Sequence, residues 1–401
     1  MAALEDKIVQ GATVIVLNAI YEGDFCGFSY GFRPGRGPHD ALDALCTAIE
    51  KRQANWIVDA DIQNFFGAVS QTWLVRFLEH RIGDKRIIRL IQKWLKAGIL
   101  EDGIVTVDDR GTGRGSVISP LLGNIYLHYV LDLWAKRWRQ REATGDMIIV
   151  RYADDVVVGF EREEDARRFL DAMRAMLEEF MLTLHPDKTR LIEFGRFAAV
   201  NRKRRGLGKP DTFTFLGFTL ICGRSRRGLF QLQRKTRGDR MRAKLLEIKE
   251  ELRRRWHQSI PERGRWLRQV VTGHFAYFAV PTNSRAISAF HHHVVNLWRR
   301  ALQRRSQKDR TTWTRIALIS GDWLPKPLLF IPGQASASPS FTRGRKRVRE
   351  SRSLGSVRGA LGNGRPYRER SHLLVSALSS ARSVTLRAKV EHSNFAVETN
   401  V

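Results

Sequence analysis

Hydrophobic residues recur along the first 220 positions with two alternating periods. In RFLEHRIGDKRIIRLIQKWLKAG, Phe77, Leu78, Ile82, Ile87, Leu90, Ile91 and Leu95 fall at spacings near 3.6, which predicts a pair of amphipathic helices with Gly98 as C-cap. EEDARRFLDAMRAMLEEFML predicts another. Between such stretches lie runs that read as strands: WIVDADIQNFF, MIIVRYADDVVVGF, LTLHPDKTRLIEF and FTFLGFTLI. The alternation predicts an α+β fold over residues 1–225. From 238 to 330 the pattern is helical and basic (RMRAKLLEIKEELRRRW, RGRWLRQVVTGHFAYFAV, AISAFHHHVVNLWRRALQRRS), a separate small bundle. Beyond WLPKPLLFIP, Ser, Gly, Pro and Arg follow without period, so 331–401 reads as a basic tail of low order.

Two or three domains suit 401 residues, at roughly 150 per domain. Cys26, Cys46 and Cys222 stand far apart, so there is no zinc spacing and no disulfide framework, as expected of a reducing, cytoplasmic setting. The longest apolar runs, such as GATVIVLNAI, fall short of the roughly 20 residues a membrane span needs. Charge changes the picture most. Residues 1–200 hold 26 Lys and Arg against 29 Asp and Glu, whereas the rest hold 43 against 12. Aromatic residues interleave with that basic half, around Arg253, Arg254 and Arg255 in RRRWHQ and around Arg299, Arg300, Arg304 and Arg305 in LWRRALQRR. Guanidinium groups for phosphate and rings for stacking point to nucleic acid, RNA or DNA alike. His291, His292 and His293 point about 100° apart on a helix and cannot chelate one ion together.

The candidate chemistry is acidic. Asp154 and Asp155 interrupt the apolar run MIIVRYADDVVVGF, so either they sit on a turn in solvent or they await a cation. In WIVDADI, strand alternation puts Asp59 and Asp61 on one face. If the two runs are neighbours, three or four carboxylates converge, an arrangement suited to two divalent ions about 3.5–4 Å apart that clamp the oxygens of a phosphoryl or nucleotidyl transfer.

SYGFRPGRGPHDAL, VDADIQNFF, GTGRGSVISPLLGNIYLHYVLD, RYADD, LHPDKT and FLGF, in that order over about residues 4–330, resemble the successive motifs of the group II intron reverse transcriptase/maturase family. The resemblance implies a right-hand polymerase with fingers and palm, then an all-α thumb called the maturase or X domain. It implies an RNA-directed DNA polymerase with two Mg²⁺ ions, and partners comprising the intron RNA, a DNA target or primer, and deoxynucleotides. By the match, Asp61, the Ile62 carbonyl, Asp154 and Asp155 hold the ions. Phe66 takes the place of an aromatic under the incoming sugar, or is a core Phe. Lys188 resembles the lysine near the nucleotide phosphates, and Arg33, Arg36 and Arg114 stand where template or nucleotide contacts are expected. Phe215, Leu216 and Gly217 resemble the primer grip. The chain departs from the family at Gly67, where an Asp usually follows the two Phe, and at Gly113 and Arg114, where Pro and Gln are usual; the match also begins without the basic fingertip segment. A relative that binds RNA and assists splicing without polymerising is therefore the alternative, and the maturase-like helices count against a host-adopted reverse transcriptase.

Overall fold

The computed structural model of the chain describes residues 4–97, 99–101, 104–106, 109–113, 116–304 and 311–327. These fall into two compact units, one running from residue 14 onward and the other holding residues 4–13. Helices α1 (Leu4–Tyr21) and α2 (Pro38–Lys51) precede β1 (Trp56–Asp61), a helical turn α3 (Phe65–Ala68) and the expected helix pair, α4 (Gln71–Arg81) and α5 (Lys85–Lys96). Ser70 and Asp84 start that pair by accepting the Trp73 and Arg86 amides, which would otherwise lack partners in the first turn. Ala97 closes it; Gly98 lies outside the described residues. A ribbon of β2 (Ile99–Glu101) and β3 (Ile104–Thr106) leads to α6 (Ser119–Leu127), a π-helical turn (His128–Asp132) and α7 (Leu133–Arg141), which run on without a break. Then come β4 (Met147–Tyr152), β5 (Asp155–Phe160), α8 (Glu163–Glu179), β6 (Arg190–Glu193) and α9 (Ala198–Arg204). A second sheet of β7 (Phe213–Phe215), β8 (Phe218–Arg224) and β9 (Phe230–Thr236) is followed by α10 (Gly238–Arg254), α11 (Ile260–Phe278), α12 (Ser284–Gln303) and α13 (Trp313–Trp323). The expected tail falls outside the described residues.

The first sheet has the order β4-β5-β1-β6, antiparallel throughout. Both of its faces are covered, which is why its strands read as nearly unbroken apolar runs. Val58, Ala60, Val156, Val158 and Phe160 pack into a core with α4 and α6 to α8, while Ile57, Ile148, Val150 and Val157 alternate to the other face, against α2 and the second sheet. Phe160 is fully buried between Trp138 and Phe169, worth about 1.5–3 kcal/mol. Sequence periodicity places LTLHPDKT within a strand; only Leu184 makes a bridge there, to Ile62, and regular pairing starts at Arg190.

The helices of α10 to α13 close on a third core around Trp298, Leu267, Val271 and Phe290. Tyr277, near the end of α11, donates its hydroxyl to the Leu216 carbonyl (3.0 Å), and Asn283 donates to Thr236 Oγ1 (2.8 Å) and to the Phe278 carbonyl (2.7 Å). These contacts seat the bundle on the second sheet. No helix among the described residues is long and apolar enough to cross a membrane.

His274 of α11 stacks on Phe290 with ring centroids 3.6 Å apart, and its Nε2 finds no hydrogen-bond partner among the described residues. Burial, helped by the charge of Lys244, pushes its pKa down from 6.5 to about 4. The unfolded chain therefore takes up a proton near pH 6.5 that the folded chain refuses until about pH 4. Stability is expected to fall progressively as pH drops through that window, by up to about 3 kcal/mol at roughly 1.36 kcal/mol per pH unit. In urea titrations across the window, His274→Phe should flatten the decline; an unchanged slope would place the acid sensitivity elsewhere.

Candidate active site

The acids meet because the strands that carry them are neighbours. Asp61, last in β1, lies directly across from Asp155, first in β5, and Tyr152 pairs with Asp155 from β4. Ala153 and Asp154 are thus the two residues of a tight hairpin turn. Ala153 holds φ at 55°, a left-handed conformation that costs a residue with a Cβ about 1–2 kcal/mol. Three neighbours hold it there. Gly31 approaches so closely that a Cβ on it would come within 2.3 Å of the Ala153 nitrogen. Asn124 donates to the Gly31 carbonyl (2.5 Å), fixing that approach.

Arg151 does most to hold the turn. Its side chain is wholly buried and donates to both oxygens of Asp132 (2.7 and 2.6 Å), to Asn124 Oδ1 (3.1 Å), to Ser29 Oγ (2.7 Å) and to the Ala153 carbonyl (2.9 Å). Asp132, equally buried, ends the π-helical turn between α6 and α7, where one extra residue per turn swings it toward the sheet.

The charges above this turn are unbalanced. Burial, then Asp154, Asp61 and Asp59 in that order, raise the pKa of Asp155 to about 6, although its surface reaches solvent. Burial also raises Asp154, and lifts Asp59 to about 6 against the pull of Arg190, whose guanidinium lies 3.4 Å away. Among the described residues Lys188 also pairs with these acids: its ammonium sits 2.8 Å from Asp61 Oδ2 and is itself held above its ordinary pKa by that bond. Among the described residues no three His, Cys, Asp or Glu side chains stand close enough to form a ready cation cage. By their chemistry the carboxylates nevertheless fit a divalent ion: hard oxygen donors, mutually repelling, with one of them already drawing a cation.

Asp154 and Asp155 line two different hollows. Asp61, Ile62, Phe66, Asp154 and Lys188 line one of about 510 Å³, with Phe32, Gly113, Ser116 and Ser119. Asp155 lines the other, of about 820 Å³, with Phe215, Leu216 and Gly217 from the β7–β8 turn and with Arg237, Arg240, Lys244 and Tyr277 from the helical region. Leu216 and Gly217 both have positive φ, 48° and 80°, so the turn presents backbone to the hollow. Phe66 meets Phe65 edge to face (centroids 5.1 Å), is partly exposed and lines the first hollow.

Other candidates are placed elsewhere. Arg33, expected near nucleotide or template, is buried; it pairs with both oxygens of Glu22 and donates to the Cys26 and Ser29 carbonyls (2.8 Å each), so its donors are engaged inside the protein. Arg36 donates to the Gly27 carbonyl and lies over Tyr30. Arg114 and Arg305 lie outside the described residues. Arg254 and Arg255 both pair with Glu251, Arg255 also stacks on Trp266, and Arg299 lies over Trp313 at 4.6 Å. Arg253, Arg300 and Arg304 are exposed and make no ion pair among the described residues. Sequence reasoning missed Phe32, Ser119 and Arg151. Arg151 adjoins the acid pair, yet an arginine inside an apolar run carries no mark of its buried partner.

The reverse transcriptase (RNA-dependent DNA polymerase) family matches residues 1–220. Protein YkfC of Escherichia coli is 32% identical over 261 residues, covering 56% of this chain and 63% of that protein. Group II intron-encoded protein LtrA of Lactococcus lactis is 40% identical over 138 residues, 33% of this chain and 22% of that protein. Nuclear intron maturase 3 of Arabidopsis thaliana is 27% identical over 178 residues, 39% and 24% of the two chains. This chain thus spans less than two thirds of the length of these relatives.

Removing one partner of a fully buried ion pair costs about 3–5 kcal/mol, because the other charge is left without compensation. Arg151→Met is therefore expected to lower the urea midpoint sharply, and Arg151→Met combined with Asp132→Leu to recover much of the loss. A single-variant cost under about 1 kcal/mol, the worth of an exposed pair, would show that this pair does not hold the hairpin.

Proposed function

The chain belongs to the reverse transcriptase (RNA-dependent DNA polymerase) family, and on that premise we propose that it extends a primer with deoxynucleotides on an RNA template. Reverse transcriptases generally use divalent metal ions. In this reading Asp61, Asp154, Asp155 and the Ile62 carbonyl would hold two Mg²⁺ ions, which would supply charge neutralisation as the primer 3′-hydroxyl loses its proton, bonds to the nucleotide α-phosphate and displaces pyrophosphate. The first hollow takes the nucleotide. There Lys188 leaves Asp61 for the phosphates, and the Phe66 ring lies under the sugar, where it leaves no room for a 2′-hydroxyl. The second hollow takes the primer end against Phe215, Leu216 and Gly217, with α10 and α11 as the thumb of a helical domain at 238–330. A single observation carries this reading: at one hairpin, Asp154 in the turn lines one hollow and its neighbour Asp155, first in β5, lines the other. That is the juxtaposition a polymerase needs between nucleotide and primer terminus.

We further infer that the chain binds a group II intron RNA and assists its splicing, with the DNA target as primer source. The similarity to proteins named as intron-encoded or as intron maturases supports this, as does the basic character of the helical region.

On an RNA template with Mg²⁺, Asp155→Asn should slow cDNA synthesis by roughly a thousandfold, the scale on which losing one charge-stabilising group slows a reaction. RNA affinity, measured by filter binding, should stay within a few fold, because it comes from basic residues elsewhere. Extension near the wild-type rate would overturn the assignment. Phe66→Ala should raise ribonucleotide incorporation roughly tenfold or more, as expected of a steric contact in a pocket. Sequenced products with an unchanged deoxy-to-ribo ratio would return Phe66 to the core.

A further inference from the structure

The sheet that carries the acids ends in an open edge. β4 is its outermost strand, paired along its length with β5. Successive residues of a strand turn their backbone groups to opposite sides. Asp146, just before β4, turns inward and accepts from the Glu161 amide (2.9 Å). Arg151 turns outward: its amide donates to the Phe28 carbonyl and its carbonyl accepts from the Tyr30 amide, both at 2.9 Å. The segment 28–30 thus stands beside β4 for one rung, parallel to it, and then departs. By the same alternation Met147 and Ile149 turn outward, and their two amides and two carbonyls make no hydrogen bond among the described residues. Both residues are buried, and main-chain groups so placed ordinarily find partners. This stretch is the back wall of a hollow of about 890 Å³. Ala44, Thr47 and Ala48 of α2 line the hollow on the side to which Ile148 and Val150 turn. On the side of Met147 and Ile149 stands Arg139 of α7. The hollow shares no lining residue with the two beside the acids.

We propose that this hollow is a protein-docking slot, in which an extended acidic peptide of a partner protein adds a strand to the outer edge of β4. The main chain of an extended peptide offers donors and acceptors in the alternation that Met147 and Ile149 present, and so pairs all four groups. A phosphodiester chain would set anionic oxygens against the two carbonyls. Charge gives the partner its sign. Asp43 is paired with Arg234, and Asp146 with Arg52 at 3.7 Å. Lys51 and Arg139 also line the hollow, are exposed and make no ion pair among the described residues, which leaves the rim positive. The sequence beyond residue 327 is itself basic and has the wrong sign to fill the slot. A second copy meeting edge to edge would bring Lys51 and Arg139 toward their own counterparts, like charge to like. Side chains of an added strand alternate between its faces. Small apolar residues therefore suit the face toward Ala44 and Ala48, and carboxylates suit the face toward Arg139.

The test uses the full chain and a labelled eight-residue peptide in which valine and aspartate alternate. Binding is read by fluorescence anisotropy, and the amides of Met147 and Ile149 are followed by hydrogen exchange. At roughly a hundredfold excess over its dissociation constant the peptide should slow exchange at both amides about a hundredfold. Two N-methylated versions keep the charge and remove donors: one is blocked at the valine amides, the other at the aspartate amides. In a strand only one of these sets faces β4, the valines if it runs parallel and the aspartates if antiparallel. One version alone should therefore lose roughly tenfold or more in affinity, the scale of two hydrogen bonds. Lys51→Glu with Arg139→Glu should weaken binding roughly tenfold, at a few fold for each exposed pair, and should favour a peptide with lysine in place of aspartate. Ala44→Trp should close the slot. Circular dichroism and thermal midpoints verify that each variant folds.

Binding without slower exchange at Met147 and Ile149 would place the peptide on another basic surface and overturn the slot. Equal affinity of the two methylated versions would overturn strand addition. No binding even at low salt would mean that the charged rim guards the edge against strands, as charges on edge strands commonly do, and would overturn the proposal outright. A single-stranded oligonucleotide of matched charge that protects the same two amides as well would overturn the choice of a peptide. None of these outcomes bears on primer extension, which has its own tests at Asp155 and Phe66.

Discussion

A guanidinium with no surface of its own holds the acidic hairpin in place. Arg151 joins segments that are distant in sequence: Ser29 near the start, Asn124 and Asp132 in the long helix, and the Ala153 carbonyl of the turn itself. Burying a charge is expensive unless every donor finds an acceptor, and here each guanidinium nitrogen does. The consequence is a turn that can be held in a strained conformation. Ala153 would relax from its left-handed φ if it were free, but the guanidinium below and Gly31 alongside leave it nowhere to go. Because Asp154 and Asp155 ride on that turn, the positions of both acids are set by a pair that neither of them touches.

Above the hairpin the balance is reversed. Where Arg151 and Asp132 neutralise each other, the carboxylates of Asp59, Asp61, Asp154 and Asp155 make ion pairs, among the described residues, with Lys188 and Arg190 alone. A fold that kept the surplus purely for stability would be hard to explain, since each acid raises the cost of ionising the next. It accords with the proposal that this site receives cations and polyphosphate together. The division of charge along the chain serves the same end, with acids gathered at the turn and bases on the helices that face it and flank it.

Much of this was legible in the sequence, and the parts that were not share one cause. The apolar runs WIVDADI and MIIVRYADDVVVGF pointed to strands, and the pairing of Asp61 with Asp155 followed once those strands were neighbours. Helix pairs announced themselves through their period and their Ser and Asp caps. Arginine was the residue type that sequence could not sort. Arg33, expected at nucleotide or template, is an internal brace; Arg151, for which the sequence raised no expectation, anchors the hairpin; Arg255 and Arg299, expected as RNA contacts, lie over tryptophans. What an arginine does depends on which acid or ring tertiary folding brings to it, and no local pattern encodes that. The second hollow was hidden for the same reason, being closed by Tyr277 and Arg240 from helices well beyond the strand they face.

The π-helical turn at His128–Asp132 bears on how the chain can change over time. Such a turn holds one residue more than the regular helix around it, and each residue accounts for about 100° of rotation. Loss of a single residue there would restore a regular helix and leave α6 and the motif before it untouched. It would also tighten the wide turn and withdraw Asp132 from Arg151, even though α7 keeps its phase. The length of this segment is therefore constrained together with its buried residues: a one-codon gap would break the contact between the helix and the acidic hairpin even if every remaining side chain were kept.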